Sequence, residues 1–216
     1  MVERFILASG SPRRREMVAS LGIDFEIIKP DVDESQLPGE PPFVYVKRLS
    51  LLKANTVAAL LETPATILAA DTIVILAADT IGIGVQGEIL GKPLDADDAR
   101  QMLRRLRDDA HIVCTAFTLK RLGEPAQTIT RLTRTTVTMR PYTDAEINAY
   151  IASGDPFDKA GSYAIQNADF HPVAHIEGCY DNVVGLPLCA VQRALVEIGW
   201  PGLAAPADCD CETFEG

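Results

Sequence analysis

The chain has 216 residues, 47% of them hydrophobic and 23% charged, enough apolar matter for one core or two closely joined lobes. Its formal charge of −10 excludes a protein held on nucleic acid mainly by phosphate contacts, and admits a small anionic ligand only where cations gather locally. No apolar run approaches the ~20 residues that span a bilayer, and Met1–Leu7 lacks a signal-peptide stretch, so a cytoplasmic protein without membrane contact is expected.

In chain order, Phe5 to Ala8 reads as a short buried strand. Ser11 then offers a hydroxyl N-cap and Pro12 a first-turn proline, so a helix over Arg13 to Leu21 follows directly. Phe25 to Ile28 is a second strand, leading to the acidic turn Asp31-Val-Asp-Glu34. From Phe43 to Leu61 helical spacing sets Val46, Leu49, Leu52, Val57 and Leu60 on one face, and Lys53 falls inside that apolar stripe. Residues 66 to 92 read as strands meeting near Gln86-Gly87, followed by a helix over Ala96 to Arg107. Val113 to Lys120 and Thr128 to Met139, rich in β-branched residues, form an antiparallel ribbon. Thr143 with Glu146 makes a capping box for a helix over Asp144 to Ala152, and a last helix, Leu188 to Ile198, stops at Gly199. The fold class expected is α/β, a mixed sheet with flanking helices over residues 1–204. The acidic tail 205–216 carries no signal for order, and its Cys209-Asp-Cys211 supplies too few ligands for a metal site.

Ile67-Leu-Ala-Ala-Asp-Thr-Ile73 recurs letter for letter as Ile75 to Ile81. Because the shift is even, Asp71 and Asp79 would share a face of an uninterrupted strand, and periodicity does not choose between them. A carboxylate in so apolar a run needs a partner or a metal, which makes either aspartate a candidate functional residue. Asp33 and Glu34 offer oxygen ligands to a hard cation. In Ser9-Gly-Ser-Pro-Arg-Arg14 a glycine turn meets a helix N-terminus whose free amides can receive an anion, with Arg13 and Arg14 beside it. Lys53, Lys92 and Lys159 are lysines in unusual settings. Carboxylates for a divalent ion together with several cations for phosphates are what phosphoryl chemistry requires. The phosphate-binding glycine motifs G-x-x-x-x-G-K-[ST] and G-x-G-x-x-G are absent. His111, His171 and His175 form no zinc spacing and read as core or surface residues.

The ordered motifs Leu7-Ala-Ser-Gly-Ser-Pro-Arg-Arg14, Asp33-Glu34, Tyr45-Val-Lys-Arg-Leu49 with Lys53-Ala54, Ala70-Asp-Thr72, Gly87 to Pro93, Asp158-Lys-Ala-Gly161 with Tyr163-Ala-Ile-Gln166, and Gly178 to Pro187 resemble the Maf, or septum-formation-inhibitor, family of nucleotide pyrophosphatases. The resemblance covers roughly Phe5 to Gly202. It implies an α/β fold with two lobes around a central cleft, often a homodimer, that hydrolyses a nucleoside triphosphate to the monophosphate and pyrophosphate in nucleotide-pool housecleaning. It implies a divalent cation, Mg²⁺ or alternatively Mn²⁺, held by Glu34 and the Ala-Asp-Thr aspartate, the latter also the general base. By the same match Lys53 and Lys92 are catalytic, Ser9, Arg13, Arg14, Thr72, Lys159 and Gln166 bind substrate, and Arg13, Lys53, Lys92 and Lys159 neutralise the triphosphate. Arg13, Thr72 and Gln166 resemble the branch acting on dTTP and UTP. A different base preference, such as 7-methyl-GTP, and a non-catalytic nucleotide-binding regulator of cell division are the alternatives. Asp108 stands where the family usually has glycine. Asp71 keeps the family's spacing from Lys53 and its Asp-Thr-Ile-Val continuation, whereas Asp79 keeps the spacing to Lys92, so Asp71 is preferred with Asp79 as the alternative.

Overall fold

The computed structural model describes residues 3–77, 87–206, 211 and 213–215. Its strands are β1 (Phe5–Ala8), β2 (Glu26–Ile27), β3 (Thr66–Ala77), β4 (Gly87–Leu90), β5 (Ala110–Arg121), β6 (Gln127–Met139), β7 (Val173–Glu177) and β8 (Thr213–Glu215). The α-helices are α1 (Pro12–Ala19), α2 (Pro42–Ala58), α3 (Ala96–Leu106), α4 (Asp144–Ala152), α5 (Tyr180–Val184) and α6 (Leu188–Glu197). Among the described residues the strands form one mixed sheet in the order β2-β1-β3-β5-β6-β7, with β4 beside β3 and β8 beside β6. β1 runs parallel to β2 and β3, and the other pairings are antiparallel.

β3 is the spine of the molecule. Its first half packs Leu68 and Ala70 against Phe5, Val18 and Leu195, with Ile67 and Ala69 facing Ala54 and Val57 on the opposite side. Its second half sends Val74 into a separate core of Leu103, Tyr142, Ile147 and Phe170. Different apolar clusters along the two halves of one strand make two lobes. Asp71 sits where they meet.

Local signals set most of the elements. The Ser11 side chain accepts the Arg14 amide at the start of α1. Asp95 accepts two amides of α3, and both halves of the Thr143–Glu146 capping box are formed. Along α2 the buried line is Val46, Leu49, Lys53 and Val57, while Leu52 and Leu60, expected on that face, are 36% and 66% exposed. The stripe is narrower than the composition suggests because Leu60 lies beyond the end of the helix, where the 3.6-residue period no longer applies. The edge strand β7 and the five-residue α5 carry no sequence expectation, since elements this short hold no readable period. Asp108, at the position where the resemblance leads one to expect glycine, has a left-handed backbone with φ of 59°. The expected lack of order after residue 205 does not extend to Thr213–Glu215, which pair with Arg131–Thr133 of β6, nor to Cys211, which is 5% exposed. That stretch of β6 needs hydrogen-bond partners, and β8 supplies them. No described helix is long and apolar enough to cross a membrane.

Candidate active site

A cleft of about 520 Å³ opens at the junction of the lobes. The buried strand β1 ends at Ser9 and turns through Gly10 into α1, so the helix N-terminus points into the cleft with Arg13 on its first turn. A Cβ on Gly10 would come within 3.2 Å of the Lys29 side chain, so the glycine leaves that lysine, two residues past β2, its place on the rim. Lys92 enters from the segment after β4, and Lys159 and Gln166 from the other lobe. Their two segments are joined by the Gly161 amide donating to the Gly91 carbonyl at 3.0 Å. Gly161 also has φ of 70°, and a Cβ there would stand 3.1 Å from Val74. Arg13, Arg14, Lys29, Lys53, Lys92 and Lys159 outnumber Glu34, Asp71 and Asp158 on the lining. A chain of formal charge −10 has therefore gathered a local positive excess, as an anionic ligand requires.

At the floor, Lys53 Nζ lies 2.6 Å from Asp71 Oδ1 and 2.9 Å from Glu34 Oε1. Lys53 comes from the buried face of α2 and is 7% exposed, so its charge is solvated by these carboxylates rather than by water. The loop carrying Glu34 is pinned to the same helix. Tyr45 Oη donates to the Glu34 carbonyl at 2.7 Å, and Arg48 donates to the Ser35 carbonyl and grips Glu40 at 2.6 Å. Burial and then the charges of Asp71 and Glu34 push the Tyr45 phenol above its ordinary pKa, so it stays a donor. Lys159 donates to Asp155 at 2.8 Å and to Asp158 at 2.6 Å, and Arg13 reaches Asp158 across the cleft at 3.2 Å. Burial pushes both aspartates up, and Lys159, acting together with Tyr150 and Asn167 at Asp155 and with Arg13 at Asp158, more than offsets it, leaving each below the usual carboxylate range.

Arg14 faces inward instead. Its guanidinium donates to Gly185 O at 2.9 Å, Ala70 O at 2.7 Å and Thr72 Oγ1 at 3.0 Å, tying α1 to both neighbours of Asp71 and to the end of α5. Desolvation lowers its pKa, offset in part by the charge of Asp71. Thr72 also bonds Thr115 at 2.8 Å. Asp79 lies outside the described residues. Among the described residues no group of three or more His, Cys, Asp or Glu side chains is placed to hold a metal. Carboxylates at the floor number two, Asp71 and Glu34.

The family model for Maf-like proteins matches residues 4–198. The chain belongs to the Maf-like protein family. It is 46% identical over 197 residues to a dTTP/UTP pyrophosphatase of Geobacter sp., covering 90% of this chain and 95% of that one. Proteins with the same description from Geotalea uraniireducens and Anaeromyxobacter dehalogenans are 47% and 44% identical, over 90% and 93% of this chain and 94% and 97% of theirs. Among solved structures, a nucleoside-triphosphatase (dITP/XTP pyrophosphatase) of Mycobacterium abscessus matches 64% of this chain and 75% of its own at 16% identity, with a TM-score of 0.38.

In this Maf-like chain the cleft brings together Ser9, Arg13, Arg14, Glu34, Lys53, Asp71, Thr72, Lys92, Lys159 and Gln166, candidates spread over most of the sequence. Sequence reasoning did not single out Lys29, and it quoted Tyr45 and Asp158 only inside motifs. Lys29 lies two residues past the strand Glu26–Ile27, a signal that was there to read. The pairing of Asp158 with two cations depends on the lobes meeting and leaves no local trace. His111 lies away from the cleft floor, 1% exposed, with Nε2 2.7 Å from Tyr163 Oη.

Proposed function

We propose that the chain hydrolyses dTTP, UTP and modified pyrimidine nucleoside triphosphates to the monophosphate and pyrophosphate, as a housecleaning enzyme of the nucleotide pool. The observation that carries this reading is the Asp71–Lys53–Glu34 cluster at the floor of a cation-lined cleft, in a chain whose relatives at 44% to 47% identity are described as dTTP/UTP pyrophosphatases.

Asp71 is the general base and Asp79 its alternative. Asp71 is supported by its contact with Lys53. The carboxylate holds the attacking water and takes its proton as the water oxygen bonds the α-phosphorus. The bond to the oxygen bridging the α and β phosphates breaks, and pyrophosphate leaves with the electron pair. Lys53 keeps Asp71 aimed. Arg13, Lys92 and Lys159 neutralise the charge that builds on the departing group, and the amides at the start of α1, with the Ser9 turn, receive phosphate oxygens. Thr72 and Gln166 contact the substrate from opposite lobes. Arg14 acts through its neighbours, fixing the backbone on both sides of Asp71.

The donor set at the floor suits a hard divalent cation. Glu34 and Asp71 are oxygen ligands, and Mg²⁺ is commonly held by one or two carboxylates with substrate phosphates and water completing the shell. Mg²⁺, or Mn²⁺, held by these two residues would supply Lewis-acid polarisation of the phosphate oxygens. The test is a panel of canonical and modified triphosphates with Mg²⁺, assayed for monophosphate and pyrophosphate. Equal molar release of both from dTTP and UTP is expected. Binding of the nucleotides without cleavage would overturn the enzymatic reading in favour of a regulator, and preferential cleavage of 7-methyl-GTP would overturn the substrate class.

A further inference from the structure

The cations on the cleft divide by what they already hold. Arg13, Lys53 and Lys159 are engaged with four carboxylates, those of Glu34, Asp71, Asp155 and Asp158. The single charge by which those cations fall short is made good by Arg14, which is itself turned onto two carbonyls and Thr72. Among the described residues the side chains of Lys29 and Lys92 form no ion pair or hydrogen bond. The positive excess of the cleft therefore resides in these two lysines. Lys29 lies outside every motif on which the resemblance to the family rests.

The fold carries Lys29 to the turn before α1. β1 and β2 run parallel, and the Ile28 amide extends their pairing by donating to the Leu7 carbonyl at 3.2 Å, so both strands end on the same side. The crevice beyond the carboxyl ends of parallel strands is where ligands bind. Ser9 and Gly10 follow β1 there, and Lys29 follows β2. Three successive methylenes of Lys29 lie 3.2–3.4 Å from the point that a Cβ of Gly10 would occupy, so the side chain runs across the turn. That turn is short of donors for an anion. Pro12 has no N–H, the Ser11 amide donates to Ser9 Oγ at 3.2 Å, and the Arg14 amide donates to Ser11 Oγ at 3.4 Å. A cation beside it supplies what these amides do not.

We propose that Lys29 binds the β,γ end of the nucleoside triphosphate and holds the pyrophosphate once the α–β bond has broken. This rests on the pyrophosphatase reading, in which Asp71 fixes the α-phosphorus at the floor and the turn before α1 receives phosphate oxygens. The outer phosphates then reach the rim, where Lys29 is exposed. They carry most of the substrate's charge, and an ammonium with no carboxylate of its own meets them without first breaking an ion pair. Substrate and transition state share the contact, so its loss is felt as binding.

The test is calorimetric titration of the full chain with inorganic pyrophosphate and, separately, with dTMP, for the parent, Lys29→Met and Lys29→Arg, all with Mg²⁺ present. Methionine keeps an apolar stem over Gly10 and removes only an exposed charge, and thermal melting verifies that the variant is folded. Lys29→Met is expected to weaken pyrophosphate binding by about 5- to 20-fold, between an exposed ion pair and a charge-assisted hydrogen bond, and to leave dTMP within about twofold. Lys29→Arg keeps the charge and should stay within about threefold of the parent. With dTTP, Lys29→Met should raise KM by a similar factor and change kcat by less than about threefold. Equal pyrophosphate affinity in parent and Lys29→Met would overturn the proposal, as would a parent that binds no pyrophosphate. So would dTMP binding weakened as much as pyrophosphate binding, or Lys29→Arg as weak as Lys29→Met. Titration needs no turnover, which keeps the two readings apart. Pyrophosphate bound through Lys29 with no triphosphate cleaved would sink the enzymatic reading alone, and normal cleavage with pyrophosphate binding indifferent to Lys29 would sink this one alone.

Discussion

Replacing Arg14 with lysine separates a residue that positions the base from one that grips phosphate. The guanidinium fork serves three acceptors in three segments, at 2.7 Å, 2.9 Å and 3.0 Å. A lysine ammonium at the end of a flexible stem reaches one of them. Two charge-assisted hydrogen bonds are lost, at about 1.5–3 kcal/mol each. Thr72 keeps its bond to Thr115, and the Ala70 and Gly185 carbonyls border a cleft that water enters. The net destabilisation therefore falls to about 2–3 kcal/mol, or a melting temperature lower by roughly 4–12 °C for a chain of this size. Arg14 holds the residues on both sides of Asp71, so a small drift of the carboxylate follows. Misplacement of about 1 Å costs on the order of 10²-fold in rate. Arg14→Lys is expected to lower kcat by about 10- to 100-fold with KM changed less than about threefold, as for a group acting mainly in the transition state. Thermal melting and steady-state pyrophosphate release with dTTP measure both. An unchanged melting temperature with a tenfold higher KM and intact kcat would refute the reasoning and make Arg14 a phosphate ligand.

Asp71→Asn removes the proposed base and should lower kcat by about 10²–10⁴, equivalent to roughly 3–5 kcal/mol. Asp79→Asn should retain activity, and the reverse pattern in the same pyrophosphate assay would transfer the role to Asp79. His111 is held neutral by burial, its pKa lowered from 6.5 to about 4. The unfolded chain takes up that proton first as pH falls, so the contribution is whole above pH ~6.5 and is lost down to pH ~4, about 3 kcal/mol in all. Urea titrations across that window should show this slope in the parent and a flatter one in His111→Phe. Asp108→Gly relieves a left-handed residue at φ of 59°, and calorimetry should show a gain of roughly 0.5–1 kcal/mol.

By itself the sequence determined the helices with strong caps and the long β-branched ribbon, and it named candidate residues that the fold gathers on one cleft. Those are readable because a cap, a period or a motif resides within a few adjacent positions. The stripe on α2 showed that Lys53 sits among apolar residues, but not that Asp71 and Glu34 solvate it there, since these come from a strand and a loop that meet only after folding. Arg13 and Arg14 look alike as neighbours in the chain. Tertiary structure sends one across the cleft to Asp158 and the other into the wall beside Asp71, because successive helical residues lie about 100° apart and face different surroundings. The short β8 was decided in the same way, by the unfilled hydrogen-bonding groups of β6, a partner distant in the sequence.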